Sequence, residues 1–187
     1  MPENKTVFET RLELEKEIFS VVREVPDFPK EGIIFKDINP IFQDSAMCIR
    51  IIKHLAAYYK DKGLDAIAGV ESRGFFFGFP LALELGIPFI PIRKKGKLPG
   101  EVIEETYNLE YGSEVIEMQI DAIKSGDRVL VHDDVLATGG TALAAANLVN
   151  KSGAHIQGFN FIIMLGFLGG DKKLNPLSGN IYNLAVS

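Results

Sequence analysis

The chain has 187 residues, 47% of them hydrophobic and 24% charged, which is enough for one globular domain with a sizeable core. A formal net charge of −5 excludes the broad basic surface of a non-specific nucleic-acid binder. The single cysteine, Cys48, excludes an intrachain disulfide and suits a reducing, cytoplasmic setting.

The opening stretch "MPENKTVFETRLELEKE" lacks the apolar core of a secretory signal. No apolar run approaches the roughly 18 residues of a membrane span. Phe8, Leu12, Ile18, Phe19 and Val22 recur near helical spacing and predict a first helix over residues 7–22. "PDFPKEG" ends it with two prolines and a glycine. "IIFKDINPIF" reads as extended or looped. A second helix is predicted from Asp44 or Ser45, both good caps, to just before Gly63, with Cys48 at a buried position.

Strands and helices then alternate. Residues 65–70, "DAIAGV", predict a short buried strand. "GFFFGFPLALELG" predicts a helix in which Gly78 and Pro80 call for a kink or a late start. Residues 88–92, 128–133 and 159–165 predict three more strands, and "IYNLAV" an edge strand near the C-terminus. Residues 138–151 predict a helix with Gly153 just past its end. Continuously apolar strands separated by helices predict an α/β fold: a mostly parallel sheet flanked by helices, with ligands at the strand ends. Residues 1–187 read as one domain. Between Arg93 and Gln119 the alternation breaks into "RKKGKLPGEVIEETYNLEYGSEVIEMQ", which predicts a mobile β-hairpin lid over about residues 93–119.

The densest chemistry lies in "RVLVHDDVLATGGTALAA". A buried strand leads to Asp133 and Asp134. Leu136 and Ala137 open a turn that Thr138, Gly139, Gly140 and Thr141 complete, and an alanine-rich helix follows. Free N–H groups at a helix start bind phosphate, and glycine lets the backbone approach it closely. The carboxylates suit sugar hydroxyls beside that phosphate. A ribose 5-phosphate meets both demands. The chain carries neither G-x-x-x-x-G-K-[ST] nor a G-x-G-x-x-G after a strand.

This stretch resembles the phosphoribosyl-diphosphate (PRPP) binding motif of type I phosphoribosyltransferases. "FPKEGIIFKDINPIF", "ESRGFFFGFPLALELG", "IRKKGKLPGEVIEETYNLEYG" and "DAIKSGDRVLVHDD" extend the resemblance over roughly residues 27–170, and "SRGF", "RKKGKLPG" and "LEYG" point to the adenine-using members. The resemblance implies transfer of a phosphoribosyl group from PRPP to adenine, giving AMP and diphosphate. It implies Mg²⁺ bound with PRPP and no dedicated metal site, a homodimer, and small-molecule substrates with neither nucleic acid nor membrane as partner.

By the same resemblance, Asp133 and Asp134 orient the ribose, and residues Ala137, Thr138, Gly139, Gly140 and Thr141 hold its 5-phosphate. Arg73, Lys94 and Lys97 contact the diphosphate, and the loop at Ser72 can carry a cis peptide. Phe35 and Leu136 cover the two faces of adenine, while the backbone of Ile34 and Lys36 reads its edge. Glu110 assists proton movement at the base, and Tyr111 helps close the lid.

Two positions depart from the family pattern. Lys36 stands where arginine is common, which leaves a 6-oxopurine as an alternative base. His132 stands where an apolar residue is usual and reads as a strand-end residue facing a neighbouring layer. No metal-binding cluster is read from it, His54 or His155. A non-catalytic PRPP-sensing regulator is the remaining alternative.

Overall fold

The computed structural model describes residues 10–28, 30–108 and 112–187. Helix α1, Arg11–Val21, starts later than its periodicity predicts, because Thr10 and Glu13 close a reciprocal capping box there. The strands β1, Arg23–Pro26, and β2, Ile34–Asp37, then form a small antiparallel ribbon. A short helix α2, Asn39–Phe42, follows, so "IIFKDINPIF" is half strand and half helix. Helix α3, Ser45–Tyr59, is capped by Asp44, whose carboxylate accepts from the Met47 N–H at 2.9 Å.

The main sheet takes its strands in this chain order: β3 Ala66–Val70, β4 Phe89–Lys94, β5 Val102–Asn108, β6 Ser113–Gln119, β7 Arg128–Leu136, β8 His155–Met164 and β9 Ile181–Val186. Across the sheet the order is β5-β6-β4-β3-β7-β8-β9. The five strands β4, β3, β7, β8 and β9 run parallel, and β9 is the predicted edge. Helix α4, Gly74–Leu85, links β3 to β4, and α5, Gly140–Lys151, links β7 to β8. A short helix α6, Gly170–Leu174, lies beyond β8.

Helices cover both faces of the sheet. Leu14 and Ile18 of α1, Ile51 and Leu55 of α3 and Phe77 and Leu81 of α4 build one core against Ile67 and Leu130. Ala145, Leu148 and Val149 of α5 build the other against Ala68, Val131 and Phe159. The parallel strands are buried on both faces, which is why they read as apolar runs rather than alternating ones.

Four further boundaries differ from those predicted. Helix α4 begins at once at Gly74 and carries Pro80 in its interior. Strand β8 starts at His155, ahead of its apolar stretch, because it pairs with β7 from Arg128 onward. Strand β7 runs through the two acids to Leu136, so Asp133 and Asp134 lie inside the strand and not at its end. Pairing of Asp133, Val135 and Leu136 with β8 carries it that far. Helix α5 consequently opens at Gly140, with Gly139 as its N-cap.

The hairpin between Arg93 and Gln119 is present as β5 and β6. It is joined to the sheet rather than detached from it: β6 pairs antiparallel with the end of β4 through Arg93↔Glu117 and Lys94↔Ile116.

Candidate active site

The turn from Ala137 to Thr141 joins β7 to α5. Gly139 sits at φ 78°, a left-handed conformation that side chains rarely adopt, and a Cβ there would meet the Gly170 carbonyl oxygen at 2.7 Å. The turn is therefore seated backbone against backbone on the start of α6. A cavity of about 70 Å³ is lined by Asp133, Val135 and the turn itself. The first N–H groups of α5 have no partner within the helix and are left for a ligand.

Asp133 lines that cavity, and its Oδ1 accepts from the Asp134 N–H at 2.8 Å. Burial, followed by the neighbouring charge of Asp134, pushes the Asp133 carboxyl well above the ordinary carboxylate range. Asp134 is 3% exposed. Burial pushes its carboxyl up as well, against the opposing charge of Arg73. Asp134 Oδ2 lies 2.8 Å from Arg73 Nε as an ion pair, without the alignment of a hydrogen bond.

Arg73 stands at the N-terminus of α4, after the cis Glu71–Ser72 peptide. Its guanidinium lies 5.2 Å from the centre of the Phe35 ring. One side chain thus connects the acids of β7 to the β1–β2 ribbon. There a second cavity, of about 230 Å³, is lined by Val25, Phe28, Phe35, Asp37 and Asn39. Phe28 meets Phe35 edge to face at 5.1 Å. Asp37 is held by the Asn39 N–H at 2.9 Å and by Arg23 at 2.7 Å. Apart from Phe35, none of these lining residues was read from the sequence. The signal was present: "REVP" and "IFKD" face each other as the two strands of the ribbon, with Val25 opposite Phe35.

Ile34 is exposed beside this cavity, and Lys36 pairs through its ammonium with Glu24 on β1. The Lys36 side chain is therefore engaged across the ribbon. Leu136 is 1% exposed and belongs to the core beneath α5. The half-buried Val135 carries more exposed apolar surface at this point of β7.

The basic run of "RKKGKLPG" is fully committed to carboxylates. Lys97 Nζ lies 2.6 Å from Glu71 Oε1 and Arg93 3.0 Å from the same oxygen. Lys94 pairs with Glu114 and Lys95 with Glu104, each at 2.9 Å. Burial alone would raise the Glu71 pKa. Hydrogen bonds from Lys97, the Lys94 N–H and Arg93 outweigh it and hold that pKa at about 2. The buried Glu117 accepts the N–H groups of Gly96, Lys97 and Leu98 at 3.0, 2.8 and 2.8 Å and so shapes the turn. Sequence reasoning singled out the cations; the structure adds the carboxylates that organise them. Glu110 and Tyr111 lie outside the described residues.

His132 is not at a strand end. It is fully buried within β7, with Nδ1 2.7 Å from the Oδ1 of Asn160 on β8, and Asn160 Nδ2 donates to the Tyr182 carbonyl of β9 at 3.0 Å. Gly78 of α4 makes room for the ring: a Cβ there would lie 3.0 Å from His132 Cδ2. Burial lowers the imidazole pKa to about 4 and keeps it neutral. Among the described residues, no group of three or more His, Cys, Asp or Glu side chains could hold a metal ion.

A helix-opening turn, two adjacent acids on β7 and an arginine that joins them to an aromatic pocket lie together at this end of the sheet. The sequence profile of the phosphoribosyl transferase domain matches residues 39–165, and the chain belongs to that family. It is 49% identical over 171 residues to an adenine phosphoribosyltransferase of Cytophaga hutchinsonii, covering 91% of this chain and 94% of the relative. The crystal structure of adenine phosphoribosyltransferase from Thermoanaerobacter pseudethanolicus superposes with a TM-score of 0.88 at 45% identity, over 92% of this chain and 99% of that one. The Saccharomyces cerevisiae enzyme, complexed with D-2,5-dideoxy-2,5-imino-altritol 1,6-bisphosphate and adenine, gives 0.85 at 41% identity over 92% and 99%. Within the family, the chain stands among the adenine phosphoribosyltransferases.

Proposed function

We propose that this chain, acting as one domain, transfers the phosphoribosyl group of PRPP to adenine, releasing AMP and diphosphate. The observation that carries the reading is the position of Arg73, which touches Asp134 on one side and Phe35 on the other. It makes the turn, the acids and the aromatic pocket one continuous site. Ala137 to Thr141 take the 5-phosphate through backbone N–H groups and threonine hydroxyls. Asp133 and Asp134 accept the ribose hydroxyls and set negative charge beside the sugar as it becomes cationic. Arg73, Lys94 and Lys97 exchange their carboxylate partners for the diphosphate. Phe35 stacks on adenine, with Leu136 and its neighbour Val135 on the β7 side and the backbone of Ile34 and Lys36 at its edge. Glu110 is the proposed proton partner of the base, and Tyr111 works with the hairpin as a lid.

Mg²⁺ fits this donor set as a companion of PRPP. Asp133 lines the cavity beside the turn and Asp134 Oδ2 has no aligned hydrogen-bond donor, a pair of oxygen-bearing side chains that would suit hydroxyls or a hydrated cation. The ion supplies positive charge to the departing diphosphate. A homodimer is supported by Phe76, Phe79 and Leu83, which leave an apolar strip of α4 exposed at 53%, 50% and 64%. The single thiol and the phosphorylated substrate support a cytoplasmic setting.

The test is incubation of the purified chain with Mg²⁺, PRPP and adenine, hypoxanthine or guanine in turn. AMP and diphosphate in equal amounts with adenine alone are expected. IMP or GMP as the main product would overturn the choice of base, and absence of any nucleotide would overturn the reaction.

A further inference from the structure

Strand β8 ends at Met164, and the chain then passes the candidate phosphate turn as "LGFLGGDKKL". Gly170, the first residue of α6, makes the closest approach to it. A Cβ at Gly170 would collide with the Ala137 carbonyl oxygen, and would stand 2.9 Å from the Gly139 nitrogen and 3.0 Å from Leu136 Cδ1. The contact is reciprocal, since a Cβ at Gly139 would meet the Gly170 carbonyl oxygen. Ala137 and Gly139 both line the cavity of the turn. We propose that Gly170 is a positioning residue for the 5-phosphate: its bare Cα lets α6 bear on the backbone of Ala137 and Gly139, and so fixes where the turn presents its N–H groups.

Such a seat works only if α6 cannot retreat, and α6 is held from both ends. Ahead of it, the Leu165 N–H donates to the Leu136 carbonyl at 2.8 Å and the Gly166 N–H to the Ser187 carbonyl at 2.9 Å. Behind it, Leu174 is fully buried in the core that α5 builds. A side chain at position 170 would therefore press on backbone atoms, which cannot yield by changing rotamer. The Leu143 N–H donates to the Gly139 carbonyl at 2.9 Å, which ties the turn to the first turn of α5. Pushing Ala137 and Gly139 aside would thus carry the free N–H groups of the helix start with them. The two neighbouring glycines meet different needs. Gly169 sits at φ 64° and supplies a left-handed backbone, with an ordinary 3.7 Å contact to Lys172 where its Cβ would be. Gly170 supplies clearance.

This inference rests on the reading of Ala137 to Thr141 as the 5-phosphate site, and it is tested on ligand binding without turnover. Calorimetry with ribose 5-phosphate and, separately, with adenine compares the wild-type chain with Gly170→Ala. Affinity for ribose 5-phosphate is expected to fall by about tenfold or more, the size of an overpacking penalty carried into binding, while affinity for adenine stays within about twofold. Gly166→Ala is the control in the same segment: its Cβ would meet Val186 Cγ1 at 3.5 Å and the Ser187 carbonyl oxygen at 3.6 Å, ordinary contacts, so both affinities should match wild type. Unchanged binding of ribose 5-phosphate by Gly170→Ala overturns the proposal. So does an equal loss for both ligands, the mark of a chain that is merely loosened. Should Gly170→Ala fold poorly, Leu174→Ala takes away the prop behind α6 and is expected to weaken ribose 5-phosphate several-fold with adenine again spared; no loss, or an equal loss for both, overturns the proposal there too. If the wild-type chain binds ribose 5-phosphate yet makes no AMP from adenine and PRPP, the proposed reaction fails while the role of Gly170 is still decided by the two affinities. If it binds no ribose 5-phosphate, the reading of the turn fails and this inference with it.

Discussion

Arg73 Nε lies 2.8 Å from Asp134 Oδ2, and the same guanidinium rests 5.2 Å from the centre of the Phe35 ring. In the proposed site this arginine would border the acids, the aromatic pocket and the diphosphate, and its loss is expected to be felt at all three. Arg73→Ala should raise the KM for PRPP by on the order of tenfold or more, since a charge-assisted contact to diphosphate is removed. Arg73→Lys should recover little, because an ammonium has no planar fork to span carboxylate and ring together. Steady-state kinetics with PRPP varied checks both, and an unchanged KM would count against the placement.

The acids hold the protein in a state less stable than it needs to be. Burial and the charge of Asp134 raise the Asp133 pKa. A raised carboxyl pKa means that the folded state keeps a proton the unfolded state has lost, so stability falls as pH rises above the ordinary carboxylate range. Asp133→Asn removes that penalty while keeping an oxygen for the Asp134 N–H. The free chain should melt higher at pH 7 by about 2–4 °C for each kcal/mol regained, and the gain should shrink as pH approaches 4. The same variant should lose PRPP turnover by on the order of 100-fold. Thermal melts across pH, paired with activity, check the two halves.

His132 predicts the opposite slope. Its pKa is lowered to about 4 by burial, whereas unfolded histidine titrates near 6.5. Stability is therefore complete above about pH 6.5 and is lost as pH falls toward 4, by about 3 kcal/mol at the limit. His132→Gln should flatten this part of the pH profile. Denaturant titrations between pH 4 and 7, compared with wild type, isolate the histidine from the acids beside it.

Glu117 holds three consecutive N–H groups of the lysine turn. Glu117→Ala leaves those amides without their acceptor, at a cost of about 1–3 kcal/mol in all once water is admitted. Amide hydrogen exchange at Gly96, Lys97 and Leu98 should accelerate, and the KM for PRPP should rise several-fold while that for adenine stays near wild type. Exchange rates unchanged at those three amides would refute the role of the carboxylate.

The sequence made some of this site legible and concealed the rest, for physical reasons. Residues 137–141 are legible as a glycine turn that opens a helix, and Asp133 and Asp134 as two adjacent acids joined to an apolar stretch of strand. Apolar runs also revealed the parallel sheet and the helices on its faces. The end of β7 was misplaced because hydrogen bonding to β8 carries a strand through polar residues that periodicity treats as a stop. Val25 went unnoticed because each strand of the β1–β2 ribbon is four residues long, too short to show a period, and Phe28 and Asn39 because they lie just outside those strands, in the connection and at the start of α2. Glu71, Glu114 and Glu117 look like ordinary surface acids in a chain with 25 acidic residues; only the fold brings them to the basic turn. The capping box at Thr10 and Glu13 was readable and would have corrected the start of α1.

Among the described residues, the hairpin pairs with the rest of the sheet at Arg93↔Glu117 and Lys94↔Ile116. Its outer strand leans on α5 instead, where Lys151 and Asn147 hold Glu105 at 2.6 and 2.7 Å. Lys94, proposed to grip the diphosphate, and Glu117, which shapes the lysine turn, are therefore also the rivets that fasten the hairpin to the parallel strands. A substitution at either rivet is expected to loosen the ligand's grip and the seat of the hairpin together.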